Sequence, residues 1–421
     1  MRTFQAVTEA LARPYALLGA LALSAAPARG APPPQQEKPE EVFEKTDPYT
    51  RGAKEELARA GYASLGPFHW ADGIETQDIE ETFGGLRVLW VETAHFKLGS
   101  TLPTYECPPD DLEKTRLKDE LARLGKRLPR ARREAAKLDP WLRLHLYAQR
   151  LEELYADFEA RFGLKDAEFD PQAPARAAGA PDLGPGRYLG QELKFTVLLT
   201  SKTAPLARFG KRWLGIEEQG YYRGLLPGGT WYFGASAEGL KKLECSSDSG
   251  LFALVAYGVV ENLCDGFRGT KREKPLWWKH GLALFYSRRI EERWSVHVGR
   301  MESGSEVDAW RWEPRLNALV SNNFVPTWNE MLSWPNGQQL EANQHMSTWS
   351  RVAWLLGQEK VDLRGFLLAI SEPSEGGLSA PEHATELADL SRRALRAAFG
   401  KEPTELDQAW RKWLLRKYPK R

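Results

Sequence analysis

Along GLFALVAYGVVENLCDGF, residues 250–267, apolar positions fall on every side of a helical wheel. A helix of that kind has no face to offer water, so the pattern predicts a buried central helix. Gly258 inside it costs ~1 kcal/mol relative to alanine. A second helix is expected over 273–289, with Pro275 near its start. Before them, KFTVLLT (194–200) reads as a compact strand and Pro205 opens a short helix. GYYRGLLPGGTWYFG then sets two aromatic strands about Pro227-Gly228-Gly229 as a hairpin.

Nearer the N-terminus, LRVLWVETAHFKLGS alternates and predicts one strand, with order beginning near Gly84-Gly85 and His95 on the solvent side. The period then turns helical. Leu117, Leu121, Leu124 and Leu128 recur until Pro129, and Leu144, Tyr147, Leu151, Leu154, Phe158 and Phe162 line one face of a further helix. The pair predicts a helical hairpin over 109–164, followed by an Ala-, Pro- and Gly-rich stretch to 190. Beyond 310 the periods are helical, ending in a helix capped by Thr404 with Asp407 and packing Leu406, Trp410 and Trp413.

Composition narrows the classes. The 421 residues carry a formal charge of +1, so no overall field draws nucleic acid or an acidic membrane. Arg2 and Arg13, the apolar YALLGALALSAA and the small residues Ala26-Pro27-Ala28 predict a signal peptide over 1–28 and an exported chain beginning near Arg29. No later segment has the ~20 apolar residues that span a bilayer. Residues 29–83 are expected to form a Pro- and charge-rich linker and N-terminal extension, and 84–108 a strand region. Cys107, Cys245 and Cys264 are too few for a disulfide framework; a Cys245–Cys264 bridge and three buried thiols both remain open. The 16 Trp invite a sugar-stacking reading, but Trp277, Trp278, Trp410 and Trp413 occupy core-like helical positions. No G-x-S-x-G, P-loop or strand-linked G-x-G-x-x-G is present.

One motif is specific. Trp277-Trp278-Lys279-His280-Gly281-Leu282-Ala283 resembles the W-x-x-E-G-x-A motif of the bacterial peptidase MA-like proteins, in the gluzincin branch of zinc peptidases, with His280 in place of Glu. The order of elements from Lys194, the strand over 86–98 and the ending AFGKEPTELDQAWRKWL (398–414) are similar to that family too. The resemblance implies an α+β fold with a gluzincin-like core, a small sheet packed on a buried helix. That core would span 190–310 of a 190–421 domain, with 311–421 helical and the 109–164 hairpin inserted.

In such enzymes two histidines at i and i+4 and a following glutamate hold zinc, while a glutamate between the histidines activates water. Setting the family's third ligand on His280 places Tyr257 and Glu261 at the two histidine positions and Gly258 at the general base. The resemblance therefore implies a pseudo-metallopeptidase without a cofactor, binding peptide, glycan or an envelope partner. Restoring Tyr257→His, Gly258→Glu, Glu261→His and His280→Glu would then rebuild a zinc site. Two alternatives stay open: a zinc hydrolase with Tyr257, Glu261 and His280 as ligands, and an envelope structural protein acting through the hairpin. His345 and His383 both lack metal-ligand spacing, though His345, on a predicted helix, is a further candidate for reaching the same place.

Overall fold

The computed structural model describes residues 44, 46–108, 111–131, 137–171, 181–218, 220–269, 273–295, 297, 310–359, 361–372 and 380–418. The expected signal peptide and most of the expected linker lie outside them. The protein is mixed α+β.

Order starts well before Gly84. Helix α1 (Lys54–Ala60), the ribbon β1 (His69–Ala71) and β2 (Ile74–Glu75), and α2 (Thr76–Thr82) precede it. Trp70, Ile74 and Ile79 are fully buried, yet elements this short leave no readable period. The predicted single strand is in fact two, β3 (Leu89–Glu92) and β4 (Phe96–Ser100), paired antiparallel. Thr93 makes the turn: its backbone N–H donates to the Phe96 carbonyl at 2.9 Å, and its hydroxyl accepts from the Phe96 N–H at 3.1 Å. A turn this tight does not interrupt the alternation, which is why the pattern conceals it.

Next come β5 (Tyr105–Glu106), α3 (Asp111–Arg127), β6 (Lys137–Leu138), α4 (Pro140–Phe162), β7 (Phe195–Thr200), α5 (Thr203–Trp213), β8 (Tyr221–Leu226) and β9 (Thr230–Ser236). Five of these strands form one sheet in the order β3-β4-β7-β9-β8, parallel across β4, β7 and β9 and antiparallel at both edges. Both faces are covered. Phe195, Val197 and Leu199 of β7 point to the face that carries α4, while Leu198 points to Leu206 and Phe209 of α5 with Trp70. A strand buried on both faces reads as an unbroken apolar run, as KFTVLLT does.

The rest is helical: α6 (Ala237–Lys242), α7 (Asp248–Gly266), α8 (Leu276–Ile290), α9 (Trp312–Ser321), α10 (Trp328–Leu332), α11 (Ala342–Leu356), α12 (Leu363–Ala369), α13 (Ala380–Phe399) and α14 (Pro403–Lys417). The last is capped by Glu402 in a reciprocal box with Glu405, not by Thr404. Pro403 takes the first helical position, which moves the start one residue upstream. Asp407 instead bonds Arg351 at 2.8 Å and Arg411 at 2.7 Å. All three cysteines are free thiols, so the Cys245–Cys264 bridge is not formed.

The apolar face predicted for α4 is buried at all six positions. Its first turns are buried on the other faces as well, including Arg143, His145 and Arg150. Arg143 and Arg150 close on Asp248, in the first turn of α7, at 2.9 and 2.6 Å, and Arg150 also holds Glu120 of α3 at 2.7 Å. Two cations and two carboxylates thus balance inside the core, and α4 is joined to α7 rather than standing apart. His95 is not exposed either. Its ring stacks on Tyr155 at 3.7 Å and bonds Glu152 at 2.6 Å and Asp166 at 2.8 Å, so it pins the β3–β4 turn to α4.

Two outcomes follow. Asp248→Ala leaves the buried Arg143 guanidinium without a carboxylate and Arg150 with Glu120 alone, and should lower stability by about 3–5 kcal/mol in urea unfolding. For His95, burial alone would lower the imidazole pKa, but the hydrogen bonds and charges of Asp166 and Glu152 outweigh it and lift it to about 9. Its contribution is therefore complete below the unfolded value near 6.5 and is lost as pH rises through about 9. The stability difference between wild type and His95→Gln should shrink across that window.

Candidate functional site

All 19 residues of α7 are buried, as its pattern requires. Close approach to the sheet depends on Gly258: a Cβ there would lie 2.1 Å from the Phe233 ring of β9. On its other side α7 packs against α8, whose own Gly281 lets α11 come equally near. A Cβ on Gly281 would lie 2.5 Å from Val352 and 2.9 Å from Thr348. These two contacts stack β9, α7, α8 and α11 and bring Tyr257, Glu261, His280 and His345 together.

The four make one chain of hydrogen bonds. The Tyr257 hydroxyl donates to Glu261 Oε1 at 3.2 Å and lies 2.6 Å from His280 Nδ1. With its only proton directed at Glu261, the phenol oxygen accepts from His280 Nδ1–H. His280 Nε2 is then left as an acceptor and faces His345 Nδ1 at 2.7 Å. His297, in a turn after α8, completes the cluster: its ring stacks on His345 with centres 4.1 Å apart and stands edge-on to His280 at 5.1 Å. Beneath them, Arg223 of β8 holds Asp265 at 2.6 Å and Asn262 at 2.8 Å and comes within 3.8 Å of Glu261.

Burial governs the charge states. It drives the Tyr257 phenol far above its usual value, reinforced by the Glu261 charge. It also raises the Glu261 carboxyl, against the pull of Arg223 and Lys279. Burial lowers His280 well below 6.5, with His345 and Lys279 adding to the effect, and brings His345 down to about 4 against a hydrogen bond to the Leu340 backbone. His280 and His345 are therefore neutral at pH 7, and each keeps a lone pair.

The residues at the family's zinc positions do not fit zinc in the family's way. Tyr257, Glu261 and His280 do converge, but the phenol cannot ionise readily, and Glu261 is committed to Tyr257 and lies against Arg223. Gly258 faces Phe233, not His280. Restoring a glutamate there would drive it into the ring, so the four-residue reversion has no room on this backbone. A different donor set is present: ligand atoms of His280, His297 and His345 all lie within 4.8 Å of one another. The motif resemblance pointed to His280 and the helix pattern left His345 as a candidate, but His297 was missed. Three histidines on three separate elements have no shared period to betray them.

Elsewhere, His383 bonds Glu273, and Trp277, Trp278 and Trp410 are fully buried, which makes them packing residues rather than sugar platforms. Among the described residues no helix is long and apolar enough to cross a membrane. No family model, curated protein or solved structure matches the chain.

Gly258→Ala should cost about 1–3 kcal/mol by overpacking against Phe233. Gly258→Glu should cost more, because it adds a buried charge to the clash. Thermal unfolding of the two variants beside wild type checks the order.

Proposed function

We propose that the chain is an exported, catalytically silent relative of the gluzincin-type peptidase MA-like proteins, working by binding rather than cleavage. The observation that carries this reading is the contact between Gly258 and Phe233, which fills the place of the water-activating glutamate with an aromatic ring. A general base contributes ~10²–10⁴ in rate, and the nearest carboxylate, Glu261, is 4% exposed and held by Tyr257. Support for the family comes from its motif around His280 and from the succession of β7, α5, the β8–β9 hairpin, α7 and α8. Support for export comes from the charged and apolar start of the chain.

A surface suited to binding lies beside the closed site. A groove of about 570 Å³ runs between the start of α3, the end of α8 and helices α11 and α14, lined by Phe285, Trp349 and Trp413 with Arg116, Arg289 and Glu313. Flat aromatic faces among charged side chains suit a peptide or a glycan. Interaction through the α3–α4 hairpin has less to work with, because α4 is largely buried.

Untagged protein, with and without added zinc, should show no chelator-sensitive cleavage of an unfolded protein substrate such as casein. Cleavage that disappears in His280→Ala would overturn the proposal.

A further inference from the structure

We infer that His280, His297 and His345 form a binding site for one divalent transition-metal ion of the zinc and cobalt class. The site differs from the gluzincin one in two of its three ligands, and it draws them from α8, the turn after it and α11 rather than from one helix pair. It does not depend on the chain being catalytically silent.

Geometry carries the inference. With metal–nitrogen bonds of about 2 Å, two imidazoles meeting at a tetrahedral angle hold their ring centres about 5 Å apart. The three rings here are 4.8, 5.1 and 4.1 Å apart, so the stacked pair His297–His345 opens by about 1 Å, and His280 Nε2 and His345 Nδ1, now 2.7 Å apart, separate to about 3.3 Å. Three imidazoles form a donor set that suits zinc, cobalt, nickel or copper and excludes calcium and magnesium, which take oxygen ligands.

What surrounds the cluster matches a ligand environment. A metal-bound histidine typically gives its other ring N–H to an acceptor that fixes the tautomer. His280 Nδ1 has that partner in Tyr257, itself backed by Glu261, so the lone pair sits on Nε2, inside the cluster, where an ion would replace the 2.7 Å hydrogen bond to His345 Nδ1. Three protein ligands leave a fourth position for water; His280 is 3% and His345 6% exposed, and His297 is half-buried. Such an ion would clamp α8 to α11 across the Gly281 contact.

The test uses untagged full-length protein stripped with a chelator and then titrated with Zn²⁺ against a chromophoric competitor, and separately with Co²⁺. One equivalent should bind with micromolar or tighter affinity, and Co²⁺ should give visible bands of a low-coordinate site. His345→Ala and His297→Ala should each weaken binding at least 100-fold, whereas His69→Ala and His383→Ala should leave it unchanged. Tyr257→Phe, which retains the packing, should weaken it about 10–100-fold. Circular dichroism identifies any variant that fails to fold, and His297, the least buried of the three, provides the safer ligand test. Wild type that is folded but binds neither ion below millimolar concentration overturns the inference, as does unaltered affinity in folded His297→Ala. Peptide cleavage by the loaded protein would refute the silent-enzyme reading and leave the metal site standing, so the two failures are distinguishable.

Discussion

Helix α7 meets no water on any side, and most of the architecture answers to that constraint. A helix so enclosed needs an apolar neighbour in every direction and a partner for each polar group it carries. Phe233 of the sheet, α8 and the first turns of α4 provide the enclosure. Asp248 receives Arg143 and Arg150, Asp265 and Asn262 receive Arg223, and Glu261 receives Tyr257. Ion pairs inside a core seldom add net stability, but removing one member leaves a charge stranded. The pairs thus fix how α4, the sheet and α8 sit against α7 more than they add to its stability.

The same constraint shapes the site. Gly258 and Gly281 each replace a side chain with direct contact, and the layers they draw together bury Tyr257, Glu261, His280 and His345. The two imidazoles enclosed there are neutral and aligned by a phenol and a carboxylate.

Much of this was legible in the residues. The all-round apolar run named α7, the continuous KFTVLLT named a strand, and Pro227-Gly228-Gly229 named the hairpin. The motif around His280 led to the place where Tyr257, Glu261 and His280 meet. Other features left no trace. Thr93 turns the chain without breaking the alternation, so two strands read as one and His95 read as exposed. The ribbon around Trp70 is too short to show a period. Arg143 and Arg150 lie off the apolar face read for α4, and nothing local to the helix reveals Asp248 more than ninety residues away. His297 entered the cluster by tertiary packing alone.

Native-state hydrogen exchange on α7 tests the central claim most directly. If the helix is enclosed and its charges are paired as described, the amides from Val255 to Leu263 should exchange only through global unfolding and fall in the slowest class, tracking the global stability as denaturant is added. Exchange of those amides through a low-energy local opening would contradict the account. It would mean that α7 and the histidines beside it are open to water in the native protein.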